Sequence, residues 1–266
     1  MSELGCVDKV FTGYSNNTDV RKSAASGGIV TGVLIELLND HLIEGAVVNV
    51  PDDNKAGCGR SIFAKTEDDL LRSTKSIYCV TEISRGLREV DKKNFAVVGL
   101  PCQIDSLNLD VTFKIGLMCG HNVTREFVIE GLRKNFIYID EVLKFDYRGG
   151  GWFPFFCRVW LKDGDIFEIP WDHHFRKLWN IGYAMPDMCK KCHSFVSENA
   201  DISCGDAWLD KFRGNQEGIS MVISHTKRGT SVLEMLEKKG ALTLEESSID
   251  DVFKAQAGGL KMKRVK

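Results

Sequence analysis

Apolar residues in the first half of the chain form short continuous runs that alternate with segments of helical spacing. The runs have the length and β-branched content of strands buried in a sheet: GAVVNV, SIFAK, FAVVGLP and FKIGLMC. Helical spacing occurs before, between and after them, over residues 29–38, 66–73, 83–90 and 124–137. Thr66 and Thr124 stand where helix N-caps are expected. The alternation over residues 26–137 predicts an α/β layer with a largely parallel sheet.

The pattern changes after residue 140, where strands replace the alternation. The predicted strands are VLKFDYRGGGW, FFCRVWLKDG, DIFEIPW, ADISCGDAW and GISMVISH, with KDGD as a hairpin turn. Residues 171–186 form an aromatic stretch that we expect to be irregular, and residues 230–241 form a helix that ends at Gly240. We expect the basic end, KMKRVK, to be frayed.

These patterns predict an α/β fold, α+β overall, in two parts that pack as one unit. Residues 1–140 form the mostly parallel α/β part, and residues 141–266 form the strand-rich part. No internal repeat and no long linker separates the two parts.

Composition and charge narrow the class of protein. The 266 residues are 43% hydrophobic and 27% charged, which is typical of a globular protein, and the formal net charge of -2 gives no electrostatic case for nucleic acid. No apolar run approaches the roughly 18–20 residues of a membrane span. Nine cysteines without a secretory signal indicate a reducing compartment, the cytoplasm, and a metal or redox use of the thiols.

Four of the cysteines occur in a pattern that predicts one shared metal site. Cys102 and Cys119 each follow a predicted strand, and Cys189 and Cys192 form a C-x-x-C pair. The carboxyl ends of parallel strands meet at one edge of a sheet, so the C-x-x-C turn can close over the first two thiols. Four thiolates suit either a tetrahedral zinc ion or a cubane iron–sulfur cluster. Zinc ribbons more often use two local C-x-x-C knuckles, so the single pair favours the cluster. The third interpretation is that these cysteines are not metal ligands.

A glycine turn precedes the first predicted helix. In Ser26-Gly27-Gly28 the glycines would let the backbone approach a ligand, and the helix N-terminus favours a phosphate. The segment matches neither G-x-G-x-x-G nor a Walker loop. An ordinary loop and helix cap is the other interpretation.

Taken in order, these motifs resemble one known family. With GLPCQ, LMCGHN, MCKKC and ADISCGDAW, the chain resembles the beta-subunit family of coenzyme F420-reducing hydrogenases and dehydrogenases, and plant 7-hydroxymethyl chlorophyll a reductase is similar. SGGIVTGVL and STKSIYC resemble further family segments, so the resemblance covers residues 20–255. The serine–lysine–tyrosine segment of the family is interrupted here at Lys75 to Tyr78.

The resemblance implies two cofactors, FAD and a [4Fe-4S] cluster. The implied cluster ligands are Cys102, Cys119, Cys189 and Cys192. The implied flavin-binding residues are Ser26, Gly27, Gly28, Thr31, Lys75, Tyr78, Gln103 and Asn122. In this interpretation residues 1–140 bind the flavin and supply two cluster ligands, and residues 141–266 complete the cluster site.

The resemblance also implies a function, that of an oxidoreductase subunit. It would convert two-electron hydride transfer with coenzyme F420 into one-electron transfer to a partner subunit, such as a hydrogenase, a formate dehydrogenase or another redox module. The chain lacks the ferredoxin-like cysteine segment of some relatives, so a hetero-oligomer is expected. No catalytic acid or base is singled out. The alternatives are a ferredoxin-dependent flavin/iron–sulfur reductase of another substrate and a zinc-stabilised scaffold protein.

The remaining polar and sulfur-containing residues receive structural interpretations. The other cysteines are expected to be buried packing residues: Cys6, Cys58, Cys79, Cys157 and Cys204. A second cluster at Cys58, Cys79 and Cys204 is the alternative. His173 and His174 are expected to be solvated or structural, His121 and His193 to lie near the cluster, and Asp206 and Trp208 to organise a turn. The Tyr147-Arg148 segment is expected to take part in an exposed ion pair, and contact with an anionic cofactor is the alternative.

Overall fold

The computed structural model describes residues 4–264. Its strands are β1 (Lys9–Ser15), β2 (Ala46–Pro51), β3 (Gly59–Ala64), β4 (Ala96–Gly99), β5 (Phe113–Leu117), β6 (Val142–Gly150), β7 (Phe156–Leu161), β8 (Ile166–Pro170), β9 (Ile202–Asp206), β10 (Ser220–Ser224) and β11 (Leu242–Glu246). Its α-helices are α1 (Thr18–Ser23), α2 (Ile29–Asn39), α3 (Glu67–Arg72), α4 (Ser84–Arg88), α5 (Pro101–Asp105), α6 (Arg125–Arg133), α7 (Phe175–Asn180), α8 (Asp187–Lys190), α9 (Lys227–Lys238), α10 (Ile249–Ala255) and α11 (Ala257–Arg264). The α/β class predicted from the sequence is confirmed.

One eight-stranded mixed sheet forms the centre of the molecule, in the order β11-β1-β10-β9-β5-β4-β2-β3. The neighbours β2-β4, β4-β5 and β5-β9 are parallel, and the other four neighbouring pairs are antiparallel. The parallel part is therefore smaller than the sequence pattern indicated. A short connection such as the one between β2 and β3 allows only an antiparallel pair, since a parallel pair needs a long crossover.

The sheet combines strands from both sides of residue 140. Strands β9, β10 and β11 lie in the same sheet as β1 to β5, whereas β6, β7 and β8 form a separate three-stranded antiparallel sheet. A second core, containing Phe127, Tyr147 and Phe175, joins this small sheet to α6 and α7. The division at residue 140 stays a prediction.

The ends of several helices follow the expected capping chemistry. The Thr66 hydroxyl accepts a hydrogen bond from Asp69 N at the start of α3. Thr124 is the N-cap of α6, but its hydroxyl contacts the Glu126 carboxylate instead of a backbone N–H group. Gly240 has a φ of 77° just after α9, as a helix-ending glycine often does.

Several elements differ from or extend the sequence expectations. The stretch 171–186 is not wholly irregular, because it contains α7 and the start of the turn into α8. The basic end is not frayed up to residue 264, since it belongs to α11, and the last two residues lie outside the described part. Strands β1 and β11 were not predicted because their apolar residues are interrupted by Thr, Gly, Ser and Glu.

Within residues 4–264 no helix combines the length and apolarity that a membrane crossing requires.

Candidate cofactor site

A cavity of about 310 Å³ opens at the carboxyl ends of the parallel strands. Its wall includes Leu100 just after β4, Met118 just after β5 and Asp206 at the end of β9. The first turn of α2 and residues 73–79 close the other sides. This is the edge at which open α/β sheets bind ligands, because the connecting loops converge there.

Most of the residues assigned to a flavin by resemblance border this one cavity. They are Ser26, Gly28, Thr31, Lys75, Tyr78, Gln103 and Asn122. Gly27 is not among the bordering residues. The fold therefore brings together residues that are up to 96 positions apart, from Ser26 to Asn122. Their role in flavin binding stays a prediction.

The two glycines of the turn have different physical roles. A Cβ atom on Gly27 would lie 2.3 Å from Gly13 O and 2.7 Å from Ser220 N, so close packing against β1 and β10 requires glycine there. Gly28 has a φ of 77° and is the N-cap of α2, which has no side-chain cap. The first helical residues, Ile29 and Val30, border the cavity, so the N–H end of α2 is available to an anionic ligand.

Lys75 and Tyr78 form the side of the cavity that faces the small sheet. Lys75 Nζ lies 2.7 Å from a carboxylate oxygen of the buried Asp146, and Lys75 has a left-handed φ of 71°. Tyr78 contacts the rings of Tyr147 and Trp179, with centroid distances of 5.0 Å to each. This side of the cavity is therefore formed by packed aromatic rings and by the Lys75 ammonium group, which is paired with Asp146.

The Gln103 side chain makes two hydrogen bonds to the backbone. Its side-chain oxygen accepts a hydrogen bond from Leu100 N over 2.9 Å, and its side-chain nitrogen donates to Thr81 O over 2.7 Å. These bonds tie the turn after β4 to the segment that carries Tyr78 and Cys79. Gln103 therefore shapes the cavity wall.

Asn49 is a cavity residue that sequence reasoning missed. It lies in β2 and borders the cavity, and its buried Oδ1 has no hydrogen-bond partner among the described residues. A buried polar atom usually has a partner, so this oxygen is suited to accept a hydrogen bond from a ligand. The available signal was a lone asparagine within the apolar run GAVVNV.

The Arg148 ion pair is buried, which corrects the expectation of an exposed pair. Its guanidinium lies 3.3 Å from an Asp206 carboxylate oxygen and donates a hydrogen bond to Ala25 O over 2.7 Å. Trp152 Nε1 donates to the same carboxylate over 2.7 Å. Burial is the largest single influence and lowers the pKa of Arg148, but Asp206 and Tyr78 together outweigh it and raise the pKa overall. Asp206 thus organises the end of β9, as expected.

A second, smaller cavity of about 160 Å³ adjoins the first and is basic. Its wall contains the cations Arg21, Lys22, Lys75 and Arg148, together with Glu217 and residues 149–151. Lys75 and residues 24–25 border both cavities. A ligand that extends from one into the other would place an anionic part among these cations.

The four predicted cluster cysteines come from three segments that meet at the edge of the main cavity. Cys102 is exposed in the first turn of α5, and the buried Cys119 follows β5 by two residues and borders the cavity. Cys189 lies in α8, and Cys192 follows the end of that helix by two residues. Cys119 N donates a hydrogen bond to Phe195 O over 3.0 Å, which ties the Cys119 turn to the chain that follows the C-x-x-C pair.

The pKa shifts place the four thiols in one neighbourhood. Burial raises the pKa of Cys119 to about 12, and the other three thiols add to that rise while Lys263 opposes it. Desolvation raises the pKa of Cys102, with Cys192 and Cys189 as the next contributions. Lys263, on α11, donates a hydrogen bond to Cys192 Sγ over 3.2 Å.

The donor set of this neighbourhood fits a [4Fe-4S] cluster or a zinc ion, because both take four thiolates. In the part of the chain that the structure describes, no group of three or more His, Cys, Asp or Glu side chains has a metal-holding arrangement. The ligand assignment of the four cysteines therefore stays a prediction, based on their shared neighbourhood.

The other cysteines have varied surroundings. Cys157 and Cys204 are buried, as expected, whereas Cys6 is exposed, which corrects the expectation for it. Cys58 is half-buried, and its Sγ lies 3.4 Å from Sγ of the buried Cys79. Cys79 and Cys204 border the main cavity, and Cys58 does not.

The histidines considered in the sequence analysis differ in burial. His121 is buried, borders the main cavity and packs against Trp179 with ring centroids 3.9 Å apart. His173 and His193 are exposed, and His174 is half-buried with its ring 3.9 Å from that of His173. The rings of Trp152 and Trp208 stack with their centroids 4.6 Å apart.

Comparison with known proteins identifies the family. Two family models described as "Coenzyme F420 hydrogenase/dehydrogenase, beta subunit" match the chain, the N-terminal model over residues 10–88 and the C-terminal model over residues 92–250. An uncharacterized protein of Methanocaldococcus jannaschii is 30% identical over 235 residues, 84% of this chain and 82% of that protein. The coenzyme F420 hydrogenase subunit beta of Methanothermobacter thermautotrophicus is 26% identical over 276 residues, 94% of this chain and 87% of that subunit.

The fold is shared with a solved structure. A chain of the F420-reducing [NiFe] hydrogenase complex from Methanosarcina barkeri superimposes with a TM-score of 0.74 at 20% identity, over 100% of this chain and 92% of that chain. The resemblance noted from the cysteine motifs is thereby confirmed. This chain belongs to the coenzyme F420 hydrogenase/dehydrogenase beta-subunit family, and it is an oxidoreductase subunit.

Proposed function

We propose that this chain binds FAD in the main cavity and a [4Fe-4S] cluster at Cys102, Cys119, Cys189 and Cys192, and that it reacts with coenzyme F420. One observation carries the proposal: Cys119, one of the four neighbouring thiols, also borders the cavity that gathers the residues assigned to the flavin. A flavin in this cavity would therefore lie next to the cluster. The family membership supports F420 as the substrate.

The chain supplies binding and orientation at this site. The N–H end of α2 and the cations of the basic cavity would hold the phosphates of FAD. Asn49 Oδ1 would accept a hydrogen bond from the ligand, and the rings of Tyr78 and Trp179 would exclude water from one side. Lys75 is already paired with Asp146, so it is suited to a fixed electrostatic role.

Flavin and cluster together connect two kinds of electron transfer, because a flavin exchanges electrons in pairs or singly and a cluster exchanges them singly. The four thiolates would hold the cluster, and Lys263 would compensate part of their negative charge. A similar subunit is named as part of an F420 hydrogenase, so we propose a hetero-oligomer in which a redox subunit exchanges electrons with this chain.

Anaerobic cofactor analysis tests this function. The purified chain is assayed for flavin, iron, acid-labile sulfide and zinc per polypeptide, and reduced F420 is then added while the flavin absorbance is followed. We expect one flavin, four irons and four sulfides per chain, as a single [4Fe-4S] cluster requires, and loss of the oxidised-flavin absorbance. A colourless, flavin-free protein with stoichiometric zinc would instead establish the zinc-stabilised scaffold.

A parallel assay with reduced ferredoxin distinguishes the other alternative. If ferredoxin reduces the bound flavin and F420 does not, the chain is a ferredoxin-dependent reductase. The Cys189→Ser variant tests the ligand assignment, because it should lose the EPR signal of the reduced cluster. The exposed Cys6, changed to Ser, provides the matched control and should leave that signal intact.

A further inference from the structure

Cys58 and Cys79 form a thiol pair that the proposed cofactor chemistry does not use. Their sulfur atoms lie 3.4 Å apart, although the two residues are 21 positions apart in the chain. Cys58 lies just before β3, and Cys79 follows Tyr78 and forms a parallel bridge with Val123. Neither belongs to the four neighbouring thiols at the edge of the cavity.

The backbone around both sulfurs is held in place by direct packing. A Cβ atom on Gly59 would lie 2.9 Å from Thr81 Oγ1, and the Ser61 hydroxyl donates to Glu82 O over 2.8 Å. A Cβ atom on Gly57 would lie 2.7 Å from Val128 of α6. Because the two segments are already in contact, the sulfurs can approach bonding distance, about 2.05 Å, through small side-chain movements.

The two thiols differ in exposure and in charge environment. Cys58 is half-buried, whereas Cys79 is buried in the wall of the main cavity. The hydrogen bond with Cys79 lowers the pKa of Cys58 to about 7, and Arg125 also lowers it. The same hydrogen bond and burial raise the pKa of Cys79. Cys58 is thus the sulfur that ionises first and that reagents in solution reach first.

The Arg125 guanidinium is a positive charge that acts on this thiol pair. Arg125 is the first residue of α6, and its buried Nε has no hydrogen-bond partner within residues 4–264. Gly57, directly before Cys58, packs on the same helix at Val128. A helix N-terminus and a guanidinium both favour a thiolate over a thiol.

We propose that Cys58 and Cys79 form a redox-active dithiol that exchanges with low-molecular-weight disulfides. The Cys58 thiolate attacks one sulfur of the disulfide, whose S–S bond breaks and releases one thiolate. Cys79 then attacks the Cys58 sulfur of the mixed disulfide, its proton leaves, and the second thiolate is released. The two cysteines lose two electrons and two protons, and the small disulfide becomes two thiols.

This activity adds thiol–disulfide exchange to the proposed F420 reaction and does not depend on that reaction. Cys79 borders the main cavity, so the oxidised pair would alter the wall of that cavity next to Tyr78. The test below measures thiols and disulfides directly. Its outcome is therefore separate from the outcome of the cofactor and F420 assays.

The experiment uses the full chain as purified, with hydroxyethyl disulfide as the probe. The reduced protein is treated anaerobically, remaining thiols are alkylated, and the intact mass and peptide map are determined. We expect a linked Cys58–Cys79 peptide, loss of the alkylatable thiols of these two residues, and recovery of both with dithiothreitol. A peptide map in which the probe modifies Cys6 while Cys58 and Cys79 both remain alkylatable would overturn the proposal.

Three variants separate the two chemical steps. Cys79→Ser should retain the probe as a stable mixed disulfide on Cys58, and Cys58→Ser should leave Cys79 unmodified. Cys6→Ser, an exposed cysteine away from the pair, should form the Cys58–Cys79 disulfide like the unaltered chain. Rapid probe uptake at Cys79 in Cys58→Ser would contradict the assigned order. The linked peptide of the unaltered chain decides the proposal even if a variant fails to fold.

Discussion

Lys263 Nζ donates a hydrogen bond to Cys192 Sγ over 3.2 Å, and this contact joins the C-terminal helix α11 to the C-x-x-C segment. Burial raises the pKa of both Cys119 and Cys102, and the charge of the buried Lys263 opposes that rise. A Cβ atom on Gly120 would lie 3.4 Å from Gly259 Cα, so α11 also packs on the Cys119 turn. The helix therefore supplies a fixed cation to the four-thiol neighbourhood.

Replacing this cation should change the reduction potential of the proposed cluster. Lys263→Met removes a positive charge beside the cysteine ligands, so the reduced, more negative cluster is stabilised less and its potential falls. The measurement is an EPR-monitored redox titration. Lys261→Met, an exposed lysine on the same helix, is the matched control and should leave the potential unchanged. Equal potentials for Lys263→Met and the unaltered chain would contradict the role assigned to Lys263.

The buried Arg148–Asp206 pair should be important for stability. Arg148→Met leaves the Asp206 carboxylate without its cation, and we expect a loss of about 3–5 kcal/mol in the free energy of unfolding. Arg158→Met removes a more exposed ion pair with Glu168 in the neighbouring strand and should cost about 1 kcal/mol or less. Urea denaturation of both variants measures the difference. Similar losses in the two variants would show that burial of the first pair has no special effect.

Asn49 should contribute to flavin binding through its side-chain oxygen. Asn49→Ala removes the acceptor, so flavin affinity should fall by roughly tenfold, which corresponds to the loss of one hydrogen bond. Flavin fluorescence titration of the flavin-free protein gives the dissociation constant. The control is Asn94→Ala, an exposed asparagine outside the cavity, which should bind flavin like the unaltered chain. Unaltered affinity in Asn49→Ala would exclude the proposed contact.

The reactivity of Cys58 should depend on pH with a midpoint near neutrality. Its pKa is lowered to about 7, so the reactive thiolate fraction rises as pH increases through this value. Iodoacetamide labelling of Cys58, quantified by peptide mapping between pH 5 and 9, gives the profile. Cys79→Ala removes the hydrogen bond that lowers the pKa, so its midpoint should move to higher pH. A profile that is identical in both proteins would show that Cys79 does not activate Cys58.

The positions of Cys102 and Cys119 illustrate how much of the site could be predicted. Each follows an apolar run of strand length, and the structure places them after β4 and β5, which are parallel neighbours. This prediction succeeded because buried strands have a local signal and the carboxyl ends of parallel strands share an edge. Lys263 could not be found in the same way, since it lies 71 residues from Cys192 and only the packing of α11 brings them together.

The strands of the sheet show the same division between local and tertiary information. The runs that became β2, β4 and β5 are mostly apolar, whereas β11 is an edge strand with polar residues and was missed. The pairing of β9 with β5, across the predicted boundary at residue 140, has no local signal. Arg148 was expected at the surface because arginine side chains are mostly exposed.

The sequence by itself determined the α/β class, the strand ends that carry Cys102 and Cys119, the C-x-x-C pair and the family motifs, because these depend on periodicity and on residues close together in the chain. Only the tertiary structure decided that Asn49 borders the cavity with an unpartnered oxygen, that Arg148 is buried against Asp206, and that Cys58 lies 3.4 Å from Cys79. Each of these depends on contacts between segments distant in sequence. Such contacts produce no hydrophobic periodicity from which they could be predicted.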